Sequence, residues 1–119
     1  MENNKELGDW GEKIAADYLS KRGYRLVEHN LRFSFKELDL IAYENDNLIF
    51  IEVKTRTSSK YGTAIDMVGR NKLRNIKYAA MGYLQRVKPK YKNLRFDVIA
   101  IDVNRLTKSA KITHYKDII

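Results

Sequence analysis

Two apolar runs separated by a short polar segment most constrain what this chain can fold into. The first run contains Leu38, Leu40 and Ile41, and the second extends from Leu48 to Val53. Both are rich in the branched and aromatic residues that favour β-strands. The segment 44–47, Glu-Asn-Asp-Asn, is typical of a turn. The pattern predicts a β-hairpin, and both a two-residue and a four-residue loop pair residues whose numbers sum to 91.

Four ionisable residues lie within this hairpin: Glu37, Asp39, Glu52 and Lys54. In the predicted register Asp39 faces Glu52 and Glu37 faces Lys54, and the alternation of strand side chains places all four on one side. Facing carboxylates repel, and in a half-buried site one takes up a proton unless a cation lies between them. A solvated sheet face, or pairing of Glu52 with Lys54, is the alternative, but it does not explain four ionisable groups at matched positions.

The chemistry of these side chains predicts a site for magnesium or manganese. The chain has no cysteine and two histidines, so hard oxygen ligands are the donors available. We expect Asp39, Glu52 and the backbone carbonyl of Val53 to hold the ion. Such an ion would polarise a phosphodiester oxygen and activate a water molecule. Lys54 would orient that water or neutralise charge in the transition state.

The two acidic segments, Glu37-Leu38-Asp39 and Glu52-Val53-Lys54, resemble the PD-(D/E)xK motif of the restriction-endonuclease-like nucleases. Over most of its length the chain is similar to the YraN family of small bacterial proteins, whose members are predicted nucleases on the basis of this motif. It departs from the family at Lys36, where glycine is usual. The matching positions are Gly11, Glu12, Ala15, Tyr18, Leu19, Asn30, residues 37–41, residues 50–56, Tyr61, Gly62, Lys72 and residues 95–98.

The resemblance implies an α/β fold with a restriction-endonuclease-like core, in which helices flank a mixed central β-sheet. It also implies a Mg²⁺- or Mn²⁺-dependent endonuclease, in which Glu12 completes the metal site. From the residues alone, an ordinary solvated glutamate at position 12 is an equally good interpretation. Glu37 is the other subsidiary member of the expected catalytic set.

The length and the order of elements predict one domain covering residues 1–119. A helix followed by three strands, a helix and two strands is typical of a mixed sheet with helices on its faces. The predicted elements are a helix from Asn3 or Asn4 to about Lys21, a strand over 24–31, the hairpin, a loop over 56–62, a helix over 70–87, a strand over 94–103, a turn over 104–109 and a strand over 110–115.

Basic charge is concentrated immediately after the acidic hairpin. The chain has a net charge of +8, and the segment 54–95 contains 12 Lys or Arg against the single acidic residue Asp66. This asymmetry predicts that a polyanion binds beside a metal centre. A solvated charged face and contact with an acidic membrane surface are the alternative interpretations of the same charge. The expected nucleic-acid contacts are Arg56, Lys60, Tyr61, Arg70, Lys72, Arg74 and Lys77.

Aromatic and polar residues elsewhere have more local interpretations. Tyr78 and Tyr91 are candidates for stacking on unpaired bases, whereas the spacing of Tyr83 predicts a core position. Asp97 is expected to accept hydrogen bonds from a neighbouring basic group. His29 and His114 are interpreted as strand or surface residues and not as ligands, and Asn30 as a turn residue.

These patterns predict a nuclease acting on DNA, including structured or branched DNA, with RNA as the other nucleic acid considered. The alternative is a nucleic-acid-binding module that has the same fold and little or no cleavage activity. A third interpretation, a ribosome- or RNA-associated protein, leaves the acidic hairpin unexplained. A branched substrate would call for a homodimer, because two symmetric cuts need two active sites. Lack of a signal peptide, of a membrane-spanning stretch and of cysteine predicts a cytoplasmic protein without membrane attachment.

Overall fold

Five strands form one mixed sheet in the order β1-β2-β3-β4-β5. The computed structural model describes residues 4–33, 36–57 and 69–118. Neighbouring strands are antiparallel except β3 and β4, which run parallel across the connection that contains α2. The predicted α/β class and element order are confirmed. The elements are α1 (Asn4–Lys21), β1 (Arg25–Phe33), β2 (Lys36–Glu44), β3 (Asn47–Arg56), α2 (Arg70–Val87), β4 (Asn93–Asn104) and β5 (Ser109–Tyr115).

Helix α1 covers one face of the sheet through residues spaced four apart. Leu7, Gly11, Ala15 and Leu19 form its buried stripe, as the 3.6-residue period of a helix requires. A Cβ at Gly11 would overlap the side chain of Thr55 in β3. The missing side chain therefore lets α1 lie directly against the Thr55 side chain of β3.

Helix α2 covers the opposite face, over β1 and β2. Its buried residues are Ile76, Ala79, Ala80 and Tyr83, and the Tyr83 ring meets the Phe50 ring edge-on at 6.0 Å between centroids. The predicted core position of Tyr83 is confirmed. Neither helix in the described part of the chain is long and apolar enough to cross a lipid bilayer.

The β2–β3 hairpin has the predicted register. Its pairs run from Glu44 with Asn47 to Leu40 with Ile51, and Asn45 at the turn adopts the left-handed conformation with φ 55°. The recorded pairing stops at Leu40, one pair before Asp39 and Glu52. The two strands therefore cease to pair where the sequence places its facing carboxylates.

Strand β1 differs from the prediction in its bounds and its regularity. It extends to Phe33, and its pairing with β2 shifts register between Leu26 and Glu28. Asn30 has φ 50° but lies inside the strand, so its interpretation as a turn residue is wrong. A short polar side chain tolerates the left-handed region better than most, which explains asparagine at this irregular position.

Candidate metal centre and nucleic-acid surface

A cleft of about 530 Å³ opens at the end of β3, beside the first turns of α1. Five of the residues predicted for the catalytic and metal site line it. Because β2 and β3 stop pairing here, their side chains border open space instead of a continued ladder. The lining residues are Asn4, Leu7, Gly8, Glu12, Asp39, Glu52, Val53, Lys54, Thr55, Arg56 and Thr57.

The two central carboxylates are almost fully buried, with Asp39 8% and Glu52 6% exposed. The backbone N–H of Val53 donates to Asp39 Oδ2 at 2.8 Å. The Asp39 carboxylate therefore accepts a hydrogen bond that a backbone carbonyl of the neighbouring strand would accept in a continued hairpin. Glu52 Oε1 lies 3.4 Å from the Lys72 ammonium. In the described residues, Glu52 Oε2 is buried without a hydrogen-bond partner. A buried unpaired carboxylate oxygen calls for an ion or a water molecule.

The electrostatics of the pair follow from this burial. Burial, followed by the charge of Asp39, raises the pKa of Glu52 to about 8. Burial also raises the pKa of Asp39, and the hydrogen bond from Val53 opposes that rise. Without an added cation, the pair therefore holds a proton near neutral pH, because two adjacent buried charges repel. A divalent ion would replace that proton.

Glu12 belongs to the same site and is not an ordinary solvated glutamate. It is half-buried on α1, and burial followed by the charge of Asp39 raises its pKa to about 7. A hydrogen bond with the side chain of Asn30 opposes this rise. Glu12 therefore changes charge in the pH range where it could exchange a proton.

Hairpin pairing ends at Leu40, so neither predicted strand pair, Asp39 with Glu52 or Glu37 with Lys54, is formed. Asp39 and Glu52 nevertheless lie together in the cleft. Glu37, in β2, instead pairs with Arg32 of β1. The Arg32 Nη2 atom lies 3.8 Å from the Glu37 carboxylate. Lys54 is half-buried and lines the cleft. The site therefore contains Glu12 and Lys54 with the two central carboxylates, and Glu37 lies at its margin.

Lys72 has a contact that the sequence interpretation missed. It was expected on the nucleic-acid surface, but its ammonium points to the sheet and pairs with Glu52. The sequence feature that could have indicated this contact is the helical position of Lys72. It lies on the opposite side of α2 from the exposed cations Arg70, Arg74 and Lys77. The first turn of α2 is thereby joined to the candidate metal centre.

The donor set of Asp39, Glu52 and the Val53 carbonyl suits a hard cation. Over residues 4–33, 36–57 and 69–118, no three His, Cys, Asp or Glu residues group as a metal cluster. Zinc sites generally require such a group. Magnesium is bound through one or two carboxylates and keeps several waters or phosphate oxygens. The residues therefore fit magnesium or manganese better than zinc.

The residues predicted to contact nucleic acid fall into three groups. Arg70, Arg74 and Lys77 are exposed on α2. Arg56 is buried at the end of β3 and pairs with Asp102 of β4, so its expected place in an exposed loop is wrong. Lys60 and Tyr61 lie outside the described residues.

Asp97 forms a second buried charge centre, on the α1 face of the sheet. Its carboxylate accepts hydrogen bonds from Arg95 at 2.9 Å and from His114 at 2.7 Å, which confirms the predicted basic neighbour. Burial would raise the pKa of Asp97, but the bonds from His114 and Arg95 outweigh it and hold that pKa below its ordinary value. His114 lies in β5, as predicted, but is buried beneath Tyr18.

Comparison with known proteins gives a family and no activity. Residues 11–101 match the model of the uncharacterised protein family UPF0102. A UPF0102 protein of Syntrophomonas wolfei is 41% identical over 93% of this chain and 95% of its own. One of Dictyoglomus thermophilum is 43% identical over 98% of this chain and 97% of its own.

The structure of a fdxN element excision controlling factor from Anabaena variabilis covers 87% of this chain and 96% of its own. It is 16% identical, with a TM-score of 0.45. A likeness at that level does not bear on function.

Proposed function

Since this chain belongs to the uncharacterised protein family UPF0102, we propose its activity from its own residues: a metal-dependent nuclease that hydrolyses phosphodiester bonds in DNA. The observation that carries the proposal is the buried pair Asp39 and Glu52, with one Glu52 oxygen unpaired among the described residues and an open cleft beside it. Burying two adjacent acids is costly. A function that binds a cation at this point accounts for that cost.

Each residue of the cleft has a role that follows from its position. Asp39, Glu52 and the Val53 carbonyl would hold magnesium or manganese, which supplies charge to a phosphate oxygen and acidifies a bound water. Lys54 lines the same cleft and neutralises charge that develops on the phosphate. Glu12, with a pKa of about 7, accepts or returns a proton near neutral pH, where a general acid or base works best.

The composition of α2 supports a polyanionic substrate. The helix contains five basic residues and no acidic one. Arg70 and Arg74 are four residues apart, where like charges repel, and they lie at the N-terminal end, where the helix dipole already places positive charge. These arrangements destabilise the free helix by a few tenths of a kcal/mol each. Bound phosphates would reverse the sign of both effects, so we assign this helix to DNA binding in the cytoplasm.

A binding module without cleavage is the second candidate, and one contact favours it. The Lys72 ammonium, 3.4 Å from Glu52 Oε1, is a built-in cation that partly compensates the carboxylates without a metal. In a pure binder the pair Lys72–Glu52 would serve to attach α2 to the sheet. Such a protein would need neither the open side of the cleft nor the proton held by Glu12.

A cleavage assay with matched variants separates the two. Single-stranded, duplex, flapped and four-way DNA, and RNA, are incubated with Mg²⁺ or Mn²⁺. We expect Glu52→Gln and Lys54→Ala to reduce cleavage by at least a hundredfold, because single charge-stabilising groups contribute on that order. The control Glu28→Gln, at an exposed position in β1, should cleave normally.

Binding is measured in EDTA so that chemistry and affinity are read separately. Both cleft variants should bind DNA within about twofold of the wild type, because neither residue belongs to the basic surface. No cleavage by the wild type on any substrate, with intact metal-free binding, would favour the binding module. Full activity of Glu52→Gln would contradict the assigned site.

A further inference from the structure

The solvent side of α2 carries an exposed aromatic ring among its cations. We call the outer face of α2 the set Arg70, Arg74, Lys77, Tyr78 and Met81, which are spaced to lie on one side of a helix. Tyr78 is 61% and Met81 56% exposed. The buried residues of α2 lie on the other side of the helix; they are Ile76, Ala79, Ala80 and Tyr83. The outer face therefore offers two apolar side chains that the fold itself does not use.

Tyr78 differs in this respect from the other tyrosine of the helix. Tyr83 is buried and packs on Phe50, so its ring is part of the core. Tyr78 is 61% exposed, so a large part of its side chain is accessible to a partner. Arg74 precedes it by one helical turn, which places the two side chains side by side on the surface. A cation beside a free aromatic ring matches one nucleotide, with its phosphate on the cation and its base on the ring.

The outer face belongs to the helix that contacts the candidate site, on the opposite side of that helix from Lys72. Lys72 joins the first turn of α2 to Glu52, and Tyr78 lies six residues farther along, about 9 Å along the helix axis. A strand leaving the cleft would pass around the start of α2 and meet Arg70 and Arg74 before Tyr78. We propose that the outer face of α2 binds an unpaired DNA strand, with one base stacked on Tyr78.

This inference rests on the proposed function for the direction of the strand, and it adds the substrate class. In a duplex the faces of the bases are covered by their neighbours, so a surface tyrosine can stack only on a base that is unpaired or at an end. Phosphate contacts alone would hold single and double strands alike. Tyr78 therefore distinguishes DNA that has a single-stranded segment, such as a flap, a gap or a junction, from continuous duplex.

The test compares Tyr78→Ala with Tyr78→Phe for binding to a labelled 20-nucleotide single strand and to the same sequence as duplex, in EDTA. Tyr78→Ala should weaken single-strand binding by about 5- to 100-fold, the range for loss of one base–aromatic stack. Tyr78→Phe, which keeps the ring, should change it less than about twofold. Neither variant should change duplex binding, and the slope of log affinity against log salt should stay the same, because no charge is removed.

A control is Leu106→Ala, which removes an exposed apolar side chain from the turn between β4 and β5 and should leave single-strand binding unchanged. Unchanged single-strand binding in Tyr78→Ala would overturn the inference and leave the outer face to a protein partner. Equal loss on single strand and duplex would also overturn it. If the wild type cleaves nothing but its single-strand binding depends on Tyr78, the inference holds and the nuclease proposal fails. If it cleaves while binding ignores Tyr78, the inference alone fails.

Discussion

Replacing the ionisable carboxyl group of Glu52 with a neutral amide should stabilise the metal-free protein above pH 5. The perturbation is Glu52→Gln, which keeps the size of the side chain and removes its charge. In the folded protein, burial and the charge of Asp39 raise the pKa of Glu52 to about 8, from an ordinary value of 4.5. The folded state therefore holds this proton in a pH range where the unfolded chain has released it.

The sign of the pH dependence follows from that difference. A carboxyl whose pKa is raised by folding contributes stability that is fully present below its unfolded pKa and is lost as pH rises towards its folded pKa. Here the window runs from pH 4.5 to about 8, with a loss of about 1.4 kcal/mol per pH unit. At pH 7 the loss reaches on the order of 3 kcal/mol. For a chain of 119 residues that corresponds to roughly 10 °C in melting temperature.

Denaturant and thermal melts from pH 4.5 to 8 in EDTA, at constant ionic strength, measure this directly. The wild type should lose stability as pH rises, Glu52→Gln should lose much less, and the exposed control Glu28→Gln should follow the wild type. Mg²⁺ should stabilise the wild type at pH 7.5 by about 1–3 kcal/mol at 10 to 100 times its dissociation constant. Glu52→Gln should lose most of that gain.

Two results would refute the reasoning. A wild-type stability that stays flat between pH 5 and pH 8 would mean that Glu52 ionises at its ordinary pKa, so that it is not desolvated. An equal response of wild type and Glu52→Gln to Mg²⁺ would mean that the ion binds elsewhere. In the second case, the binding module becomes the better account of the protein.

Two further predictions concern the fold around the site. Gly11→Ala should destabilise the protein by about 1–3 kcal/mol in urea melts, because its new methyl group would overlap Thr55, whereas Gly8→Ala meets open space and should be neutral or slightly stabilising. Equal effects of the two changes would contradict the close approach of α1. Asp97→Asn should destabilise by on the order of 3 kcal/mol at pH 7 by leaving the largely buried Arg95 guanidinium without this counter-charge. Because folding lowers the pKa of Asp97, the wild type should lose this contribution as pH falls below 3.8, and urea melts at pH 2–5 should show a flatter acid limb for the variant.

The hairpin and the two helices were predictable because their signals are local. Alternation and the turn at 44–47 determine the β2–β3 register, and it matches from Leu40 to Glu44. The bounds of α2 follow from its apolar stripe. The end of pairing at Leu40 was not predictable from the sequence. It accompanies a hydrogen bond from the Val53 N–H to the Asp39 carboxylate, and residue spacing does not show whether a side chain or a backbone carbonyl accepts that bond.

Contacts between distant segments account for the other differences. Lys72 reaches Glu52 only because α2 packs over the sheet at one particular position. Asp97 and His114 meet through the pairing of β4 with β5, which a strand pattern predicts without specifying its register. Arg56 is buried because β3 continues beside β4 as far as Asp102, although its polar neighbours in sequence are typical of a loop. In each case tertiary packing decided what local propensity left open.

The order in which these contacts can form gives the hairpin a kinetic consequence. Asp39 and Glu52 are brought together by a short turn, whereas Lys72 arrives only when α2 docks, and the β3–β4 pairs join residues 46 apart, such as Asn47 with Asn93. Contacts close in sequence form before distant ones. The two acids are therefore juxtaposed early, before the Lys72 ammonium is near, and their repulsion opposes the folding step itself. In stopped-flow refolding, the rate should fall from pH 5 to pH 8 in the wild type and stay level in Glu52→Gln.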